Sequence, residues 1–498
     1  MISAFVRIGA ICALLAATLL HVPAADARQS RDRVSVDASP YMDTVAAALP
    51  GRQWMRTDYE RGFANDEWAG IRWAYLWVDW SDIETFPGVY DFSGLDDLVA
   101  SAHAHGVHLM LQVQTGGDFV VPGPAQVLAT RGYRTNSKHP VLPSSAPNDL
   151  EGPMEFWRAL ARHYAPGGEL ARTRGWTDGY GITYFEVENE PDSLPWITGT
   201  WSNVPKDYAL YVSIVKRTLR SLSPDVIVVA PALGTGPDGS GCCIGLSWLD
   251  QVLRVDGDLQ WASDAYRTSV AGGQPVVGAG PFIDVYSFHD DFYDAASTYS
   301  VDRTRGVQHV IRRFVGQSRY PTSSHPVLWE TEGGPVVAPG DQVSYAREQA
   351  QVTIRLINAG VQRLNFDASG LRGDSASARE SDPSALEARA MVTYFPSGHG
   401  VVNRSGALSS SARKAVEAYS WIDPATHLTS WILWAPDEPS RSGRTGTPFT
   451  VPVPVRTKGA LVFSHDWSQS RVRAVDGHVA VDLRSGDPSE VALVVERR

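Results

Sequence analysis

The chain has 498 residues, of which 43% are hydrophobic and 20% charged, enough for one large soluble domain and a smaller one. Its 55 acidic and 44 basic residues leave a formal net charge of −11, the opposite of a nucleic-acid binder's basic footprint and unsuited to an anionic membrane surface. Neither a nucleic-acid partner nor membrane insertion is therefore expected.

The first element in chain order is an export signal. Arg7 gives a short positive region, Ile8 to Leu20 an apolar stretch too short for a comfortable span, and Ala25-Asp26-Ala27 a small-residue cleavage site. Residues 1–27 read as a signal peptide, and the mature chain then begins at Arg28, secreted or periplasmic. An uncleaved anchor is the alternative. Cys12 follows Ile11, which does not suit lipoprotein processing. Past the signal only Cys242 and Cys243 remain. An oxidising compartment favours a bridge between them, their adjacency strains it, and two free thiols in a loop are the other reading. Two cysteines do not complete a zinc site, and no metal or cofactor is expected.

Apolar, β-branched runs then alternate with helical patterns. The predicted strands are Val34–Ala38, Ile71–Val78, Val107–Gln114, Ile182–Asn189, Val226–Pro231, Ile283–His289, Pro326–Glu332 and Val361–Asp367. Several are almost continuously hydrophobic, as strands covered on both faces are. Between them, Ser93 is placed to cap a helix carrying Leu95, Leu98, Val99 and Ala102, which Gly106 stops. Tyr208, Tyr211, Val212, Val215, Leu219 and Leu222 form a second stripe, ended by Pro224. Eight strand–helix alternations predict an α/β fold, a (β/α)8 TIM barrel over residues 28–400.

Beyond about residue 400 the texture changes. Leu428–Trp434, Phe449–Val455, Ala460–Phe463, Val472–Ala474, His478–Leu483 and Glu490–Val495 are short strand-like runs, with one helical pattern at Ser411–Tyr419 and a turn-rich stretch at Asp437–Thr447. Residues 401–498 are expected to form a C-terminal β-sandwich.

Two carboxylates stand where a parallel barrel builds its sites, at the C-terminal ends of strands. Glu190 ends the fourth run in Asn189-Glu190-Pro191, and Glu332 ends the seventh in Trp329-Glu330-Thr331-Glu332. Cleaving a glycosidic bond takes such a pair, one carboxyl to protonate the leaving oxygen and one to attack the sugar or activate water. Strand alternation offers rivals. Glu186 and Glu188 share a face with Glu190, and Glu330 with Glu332, if the geometry stays regular.

The segment from Gly70-Ile71-Arg72-Trp73 through Trp80-Ser81-Asp82-Ile83-Glu84 to Gly88-Val89-Tyr90-Asp91-Phe92 resembles the second-strand region of glycoside hydrolase clan A. Glu186–Asp192, with Asp207-Tyr208 and Ser223-Pro224-Asp225, resembles family 39 of that clan most closely. The likeness covers roughly residues 34 to 400. It implies a retaining glycosidase with an appended β-sandwich and β-xylosides, iduronides or bacterial exopolysaccharide as substrate classes. It further implies Glu190 as acid/base, Glu332 as nucleophile, Asn189 on the sugar 2-hydroxyl and His289 as a subsite residue. Glu186 matches a buried structural glutamate, to be held by Arg72 or Arg363. The chain departs from the pattern at Tyr75, where the clan carries an arginine beside the nucleophile; either the register differs or another group orients Glu332.

Among 16 tryptophans, Trp196 and Trp201 follow the fourth strand and are the candidate sugar platforms. The expected partner is an oligosaccharide or polysaccharide. A non-catalytic carbohydrate-binding protein and a transglycosylase of the same fold are the rival functions.

Overall fold

The computed structural model describes residues 34–37, 62–86, 88–114, 134–135, 140–141, 151–192, 205–234, 245–254, 280–293, 299–314, 327–335, 342–367, 382–395, 401–409, 411–412, 416–423, 426–435, 447–464, 466–485 and 491–497. The signal segment, Cys242 and Cys243 lie outside them. Eight strands close a parallel barrel in chain order: β1 Val34–Asp37, β2 Trp73–Asp79, β3 His108–Gln114, β4 Tyr184–Val187, β5 Ile227–Leu233, β6 Val285–Tyr293, β7 Leu328–Pro335 and β8 Arg363–Asp367, with β8 returning to β1. Each coincides with one of the eight predicted runs.

Helices fall between the strands: α1 Ser93–Ala104, α2 Glu151–Tyr164, α3 Glu169–Arg174, α4 Pro205–Arg220, α5 Leu246–Leu253, α6 Tyr299–Phe314, α7 Gln342–Ala359 and, after β8, α8 Pro383–Tyr394. Ser93 is not the cap of α1. The helix already includes it, because Asp91 Oδ1 accepts both its backbone N–H (3.0 Å) and its hydroxyl (2.6 Å) and turns the chain one residue earlier. Gly106 does stop α1, at φ +65°, a conformation costly for any residue with a Cβ.

The barrel interior is filled by side chains and is no pore. Tyr75, Met110, Tyr184, Val229, Val285 and Trp329, one from each of β2 to β7, make one buried layer. Near the strand starts, the Arg363 guanidinium lies 4.0 Å from the Trp73 ring centre and 4.0 Å from that of Trp329, a cation held between two π faces.

From residue 402 onward the chain is antiparallel. Val402–Asn403, Glu417–Ile422, Thr429–Trp434, Val491–Arg497, Gly459–Phe463 and Gln469–Arg473 form a six-stranded sheet in that spatial order, and Thr447–Pro454 pairs with His478–Ser485. Period-two alternation sorts the six-stranded sheet onto two apolar surfaces. Trp431, Leu433, Val462 and Val494 join Val451, Val453, Val479 and Val481 of the two-stranded sheet. Ile432, Trp434, Leu461 and Leu493 join the core around the barrel helices. Arg355 of α7 reinforces that second surface, with two bonds to Glu417 (3.2 and 2.6 Å) and its guanidinium 5.3 Å above the Trp434 ring. The helical pattern at Ser411–Tyr419 is overturned only in its last three residues, Ala412 being helical and accepting the Val416 N–H at 3.0 Å. Glu417–Ile422 is a strand in register with Thr429–Trp434, because its apolar residues find partners on both faces of a sheet.

On the barrel wall, His163 of α2 bridges Asp96 of α1 (2.7 Å) and Glu169 of α3 (3.1 Å) and stacks on Phe92. Burial pulls its pKa down, but the hydrogen bonds and charges of Asp96 and Glu169 outweigh this and raise it above the ordinary histidine value. A histidine raised on folding stabilises most below its unfolded pKa of about 6.5, and that contribution disappears as the pH rises through the folded pKa. Urea titrations should show the stability gap between wild type and His163→Gln narrowing as the pH rises above about 6.5. A gap independent of pH contradicts the assignment.

Candidate active site

β4 ends at Val187, and the next residues leave strand geometry. Glu188 has φ +65° and Glu190 φ +40°, left-handed values that cost energy in non-glycine residues and cluster where a site demands them. This breaks the alternation that would have aimed three carboxylates into one space. Glu186 stays inside the barrel and Glu188 is buried, its N–H on Val113 O at 3.0 Å, while Glu190 is carried to the barrel mouth.

A second irregularity separates Glu332 from Glu330. Phe288 of β6 pairs with Glu330, but the next residue, His289, pairs with Glu332, so Thr331 is an extra residue in β7. Before the bulge, Trp329 belongs to the interior layer and Leu328 to the helix-facing core, which puts Glu330 on the outer side with Leu328. After it, Thr331 and Glu332 both reach inward. A regular strand would have given Glu330 and Glu332 the same face.

The two ends meet at one atom. His289 Nδ1 lies 3.2 Å from Glu190 Oε1 and 3.5 Å from Glu332 Oε2, with the imidazole wholly buried. The two oxygens are therefore separated by less than twice 3.5 Å, the limit being approached only if all three atoms are collinear. Glu190 keeps 14% and Glu332 27% of its side chain exposed, whereas Glu186, Glu188 and Glu330 are at 2% or less. Of the five glutamates on these two segments, the pair that converges is the pair that solvent or a ligand can reach.

Below them runs a buried polar string. The Tyr75 hydroxyl is 2.5 Å from Gln112 Oε1 and 3.4 Å from Glu332 Oε2. Gln112 Nε2 donates to Glu186 (3.0 Å), and Thr331, beside Glu332, donates its hydroxyl to the other oxygen of Glu186 (2.8 Å). Burial pushes the Glu186 carboxyl up, and His289 with the donors Ser287, Thr331 and Gln112 only partly offsets it. The expectation of an arginine on Glu186 fails, since Arg72 is exposed and Arg363 lies in its aromatic sandwich. The departure at Tyr75 is one of chemistry and not of register. Tyr75 does face Glu332, with a neutral phenol where the family pattern has a cation.

Asn189 is buried, and its Oδ1 accepts no hydrogen bond from the described residues. Asp192 takes the backbone N–H groups of Gly234 (2.7 Å) and Gly245 (2.9 Å), clamping both ends of the glycine-rich loop after β5 to the end of β4. Trp196 and Trp201 lie outside the described residues. The family pattern put Tyr75 beside the nucleophile without giving it a role, and the sequence singled out none of Gln112, Thr331 and Asp192. Only the inward periodicity of β3 could have pointed to Gln112. Among the described residues no group of three His, Cys, Asp or Glu could hold a metal ion, and no helix is long and apolar enough to cross a membrane. Replacing Tyr75 by Phe leaves Gln112 Oε1 inside the barrel without that donor and should lower the unfolding free energy by about 1–3 kcal/mol in denaturant titration. An unchanged midpoint would show that the string carries no stability.

No protein-family model matches the chain, and no curated protein matches it in sequence. Solved structures do match in fold. A family 39 glycoside hydrolase from Bacteroides cellulosilyticus WH2 superposes with a TM-score of 0.56 at 13% identity, covering 94% of this chain and 81% of that one. A family 39 β-xylosidase from Caulobacter crescentus gives 0.52 at 13% identity, covering 94% and 98%. The α-L-arabinofuranosidase of Thermotoga maritima gives 0.53 at 12%, covering 90% and 91%. This chain thus has the barrel-plus-β-domain fold of those glycoside hydrolases along almost its whole length.

Proposed function

We propose that this chain is a secreted or periplasmic retaining glycoside hydrolase, with a catalytic (β/α)8 barrel over residues 28–400 and a β-sandwich over 401–498. One observation carries the reading: Glu190, just past β4, and Glu332, on β7, both keep exposed side-chain surface and converge on His289 Nδ1 at 3.2 and 3.5 Å. Double displacement uses carboxyl groups roughly 5–5.5 Å apart, and inversion roughly 6.5–9.5 Å to make room for a water. Two oxygens sharing one nitrogen fit the first range and can reach only the lower edge of the second.

In the first step Glu332 attacks the anomeric carbon while Glu190 gives its proton to the leaving oxygen, and the C–O bond to the aglycone breaks. In the second, Glu190 takes a proton from water, the water oxygen bonds to the anomeric carbon, and Glu332 departs as carboxylate. The Tyr75 hydroxyl donates toward Glu332 Oε2 (3.4 Å), and His289 Nδ1 lies 3.5 Å from the same oxygen. The two roles require the environments of Glu190 and Glu332 to differ. Asn189 Oδ1, buried with an open acceptor, suits the hydroxyl next to the reacting carbon. Xylosides and arabinosides are the first substrates to try, because the fold neighbours include a xylosidase and an arabinofuranosidase.

The test is covalent trapping. A 2-deoxy-2-fluoro glycoside with a good leaving group should add one sugar mass to the intact protein, mapped by peptide sequencing to Glu332. Glu190→Gln should slow cleavage of poor-leaving-group substrates by about 10²–10⁴-fold. A label on Glu330, or wild-type rates from Glu190→Gln, overturns the assignment.

A further inference from the structure

We propose that the shallow cavity on the C-terminal sheet, between Arg471 and Arg497, binds a uronate residue of a carboxylated polysaccharide. The cavity measures about 280 Å³ and is lined by Leu461, Gln469, Ser470, Arg471 and Arg497.

Sheet register builds it. Gln469–Arg473 is the edge strand, Gly459–Phe463 is next, and Val491–Arg497 follows. Leu461 stands opposite both Arg471 and Val495, and Gly459 opposite both Arg473 and Arg497. Directly opposed residues rise from the same face, so all three arginines share it. The position between Arg473 and Arg497 is a glycine, and a Cβ there would come within 2.7 Å of the Val472 carbonyl oxygen. Close backbone approach therefore requires glycine there, and no side chain rises between Arg473 and Arg497.

The three arginines are exposed, and none has an acidic partner among the described residues. Two nearby acids among the described residues are engaged elsewhere. Glu496 is buried and accepts the N–H groups of Thr429 (3.0 Å) and Arg456 (2.6 Å), and Asp466 accepts from Ser464 and Ser468. Charge is also segregated along the chain. Residues 401–498 hold 12 Lys and Arg against 10 Asp and Glu, a net of +2, which leaves −13 of the total −11 on the first 400 residues. A polyanion repelled by the barrel finds its attractive surface here.

The guanidinium forks of Arg471 and Arg497 match a carboxylate, and Gln469 and Ser470 can serve hydroxyls. Among the described residues no aromatic side chain lines the cavity, so they supply neither the stacking platform of a single-stranded nucleic-acid site nor the apolar wedge of a membrane anchor. The site would hold an acidic polysaccharide on the enzyme proposed above. It relies on that reading only for its purpose.

Binding can be tested apart from cleavage. The full chain carrying Glu190→Gln and Glu332→Gln is titrated calorimetrically with a short oligogalacturonate. Binding is expected, weakening as salt is added, and falling by about tenfold or more in Arg471→Ala/Arg497→Ala. Arg471→Lys/Arg497→Lys, which keeps the charge and loses the fork, should be intermediate. In the otherwise wild-type chain the alanine pair should leave hydrolysis of a small aryl glycoside unchanged. The proposal is overturned by absence of binding, by equal binding of a neutral xylo-oligosaccharide, or by an alanine variant as tight as its parent. Tighter binding of a sulfated glycan, of single-stranded DNA or of anionic vesicles overturns it too. Uronate binding in a chain that cleaves no glycoside would support it while removing the catalytic reading.

Discussion

The carboxyl group of Glu186, shut inside the barrel, is the constraint on which the site depends. A buried carboxyl is tolerated only if its oxygens are satisfied, and here the donors come from other strands, Gln112 on β3 and Thr331 on β7. Meeting that demand fixes the neighbours above it. Gln112, held by Glu186, presents its carbonyl oxygen to Tyr75, and Tyr75 faces Glu332. Thr331 can reach Glu186 and still leave Glu332 pointing inward only because β7 bulges at that residue. A polar core thus replaces what a regular strand would have provided, and it brings Glu190 and Glu332 to one imidazole.

This arrangement relies on a neutral phenol and a histidine to support Glu332. A guanidinium is charged at every working pH, whereas a phenol offers one proton to two acceptors, Gln112 and Glu332. His289, which lies beside Glu332, also touches Glu190. A permanent cation, Arg363, lies at the opposite end of the barrel, between Trp73 and Trp329.

The barrel was legible because strands buried on both faces are written as apolar runs, and each of the eight runs became a strand. The end of the fourth run was not, since Ile182–Asn189 looks regular while the strand stops at Val187 and Glu188 turns left-handed. Nor was the bulge in β7 visible; period-two reading tied Glu330 to Glu332, and only the offset against β6 separates them. Local propensity misled at Glu417–Tyr419, where the end of a helical pattern lost to pairing with Thr429–Trp434. Gln112 and Thr331 could not be found from sequence, because their importance comes from contact with Glu186 across 74 and 145 residues of chain.

The central claim is that Glu190 and Glu332 perform two inversions in succession, and the configuration of the first sugar released tests it most directly. Proton NMR of the hydrolysis of an aryl glycoside, followed before mutarotation, distinguishes the outcomes. The account predicts a first-formed hemiacetal with the same anomeric configuration as the substrate. A first product of opposite configuration would contradict it, and the two carboxylates would then have to flank a water instead of sharing a covalent intermediate.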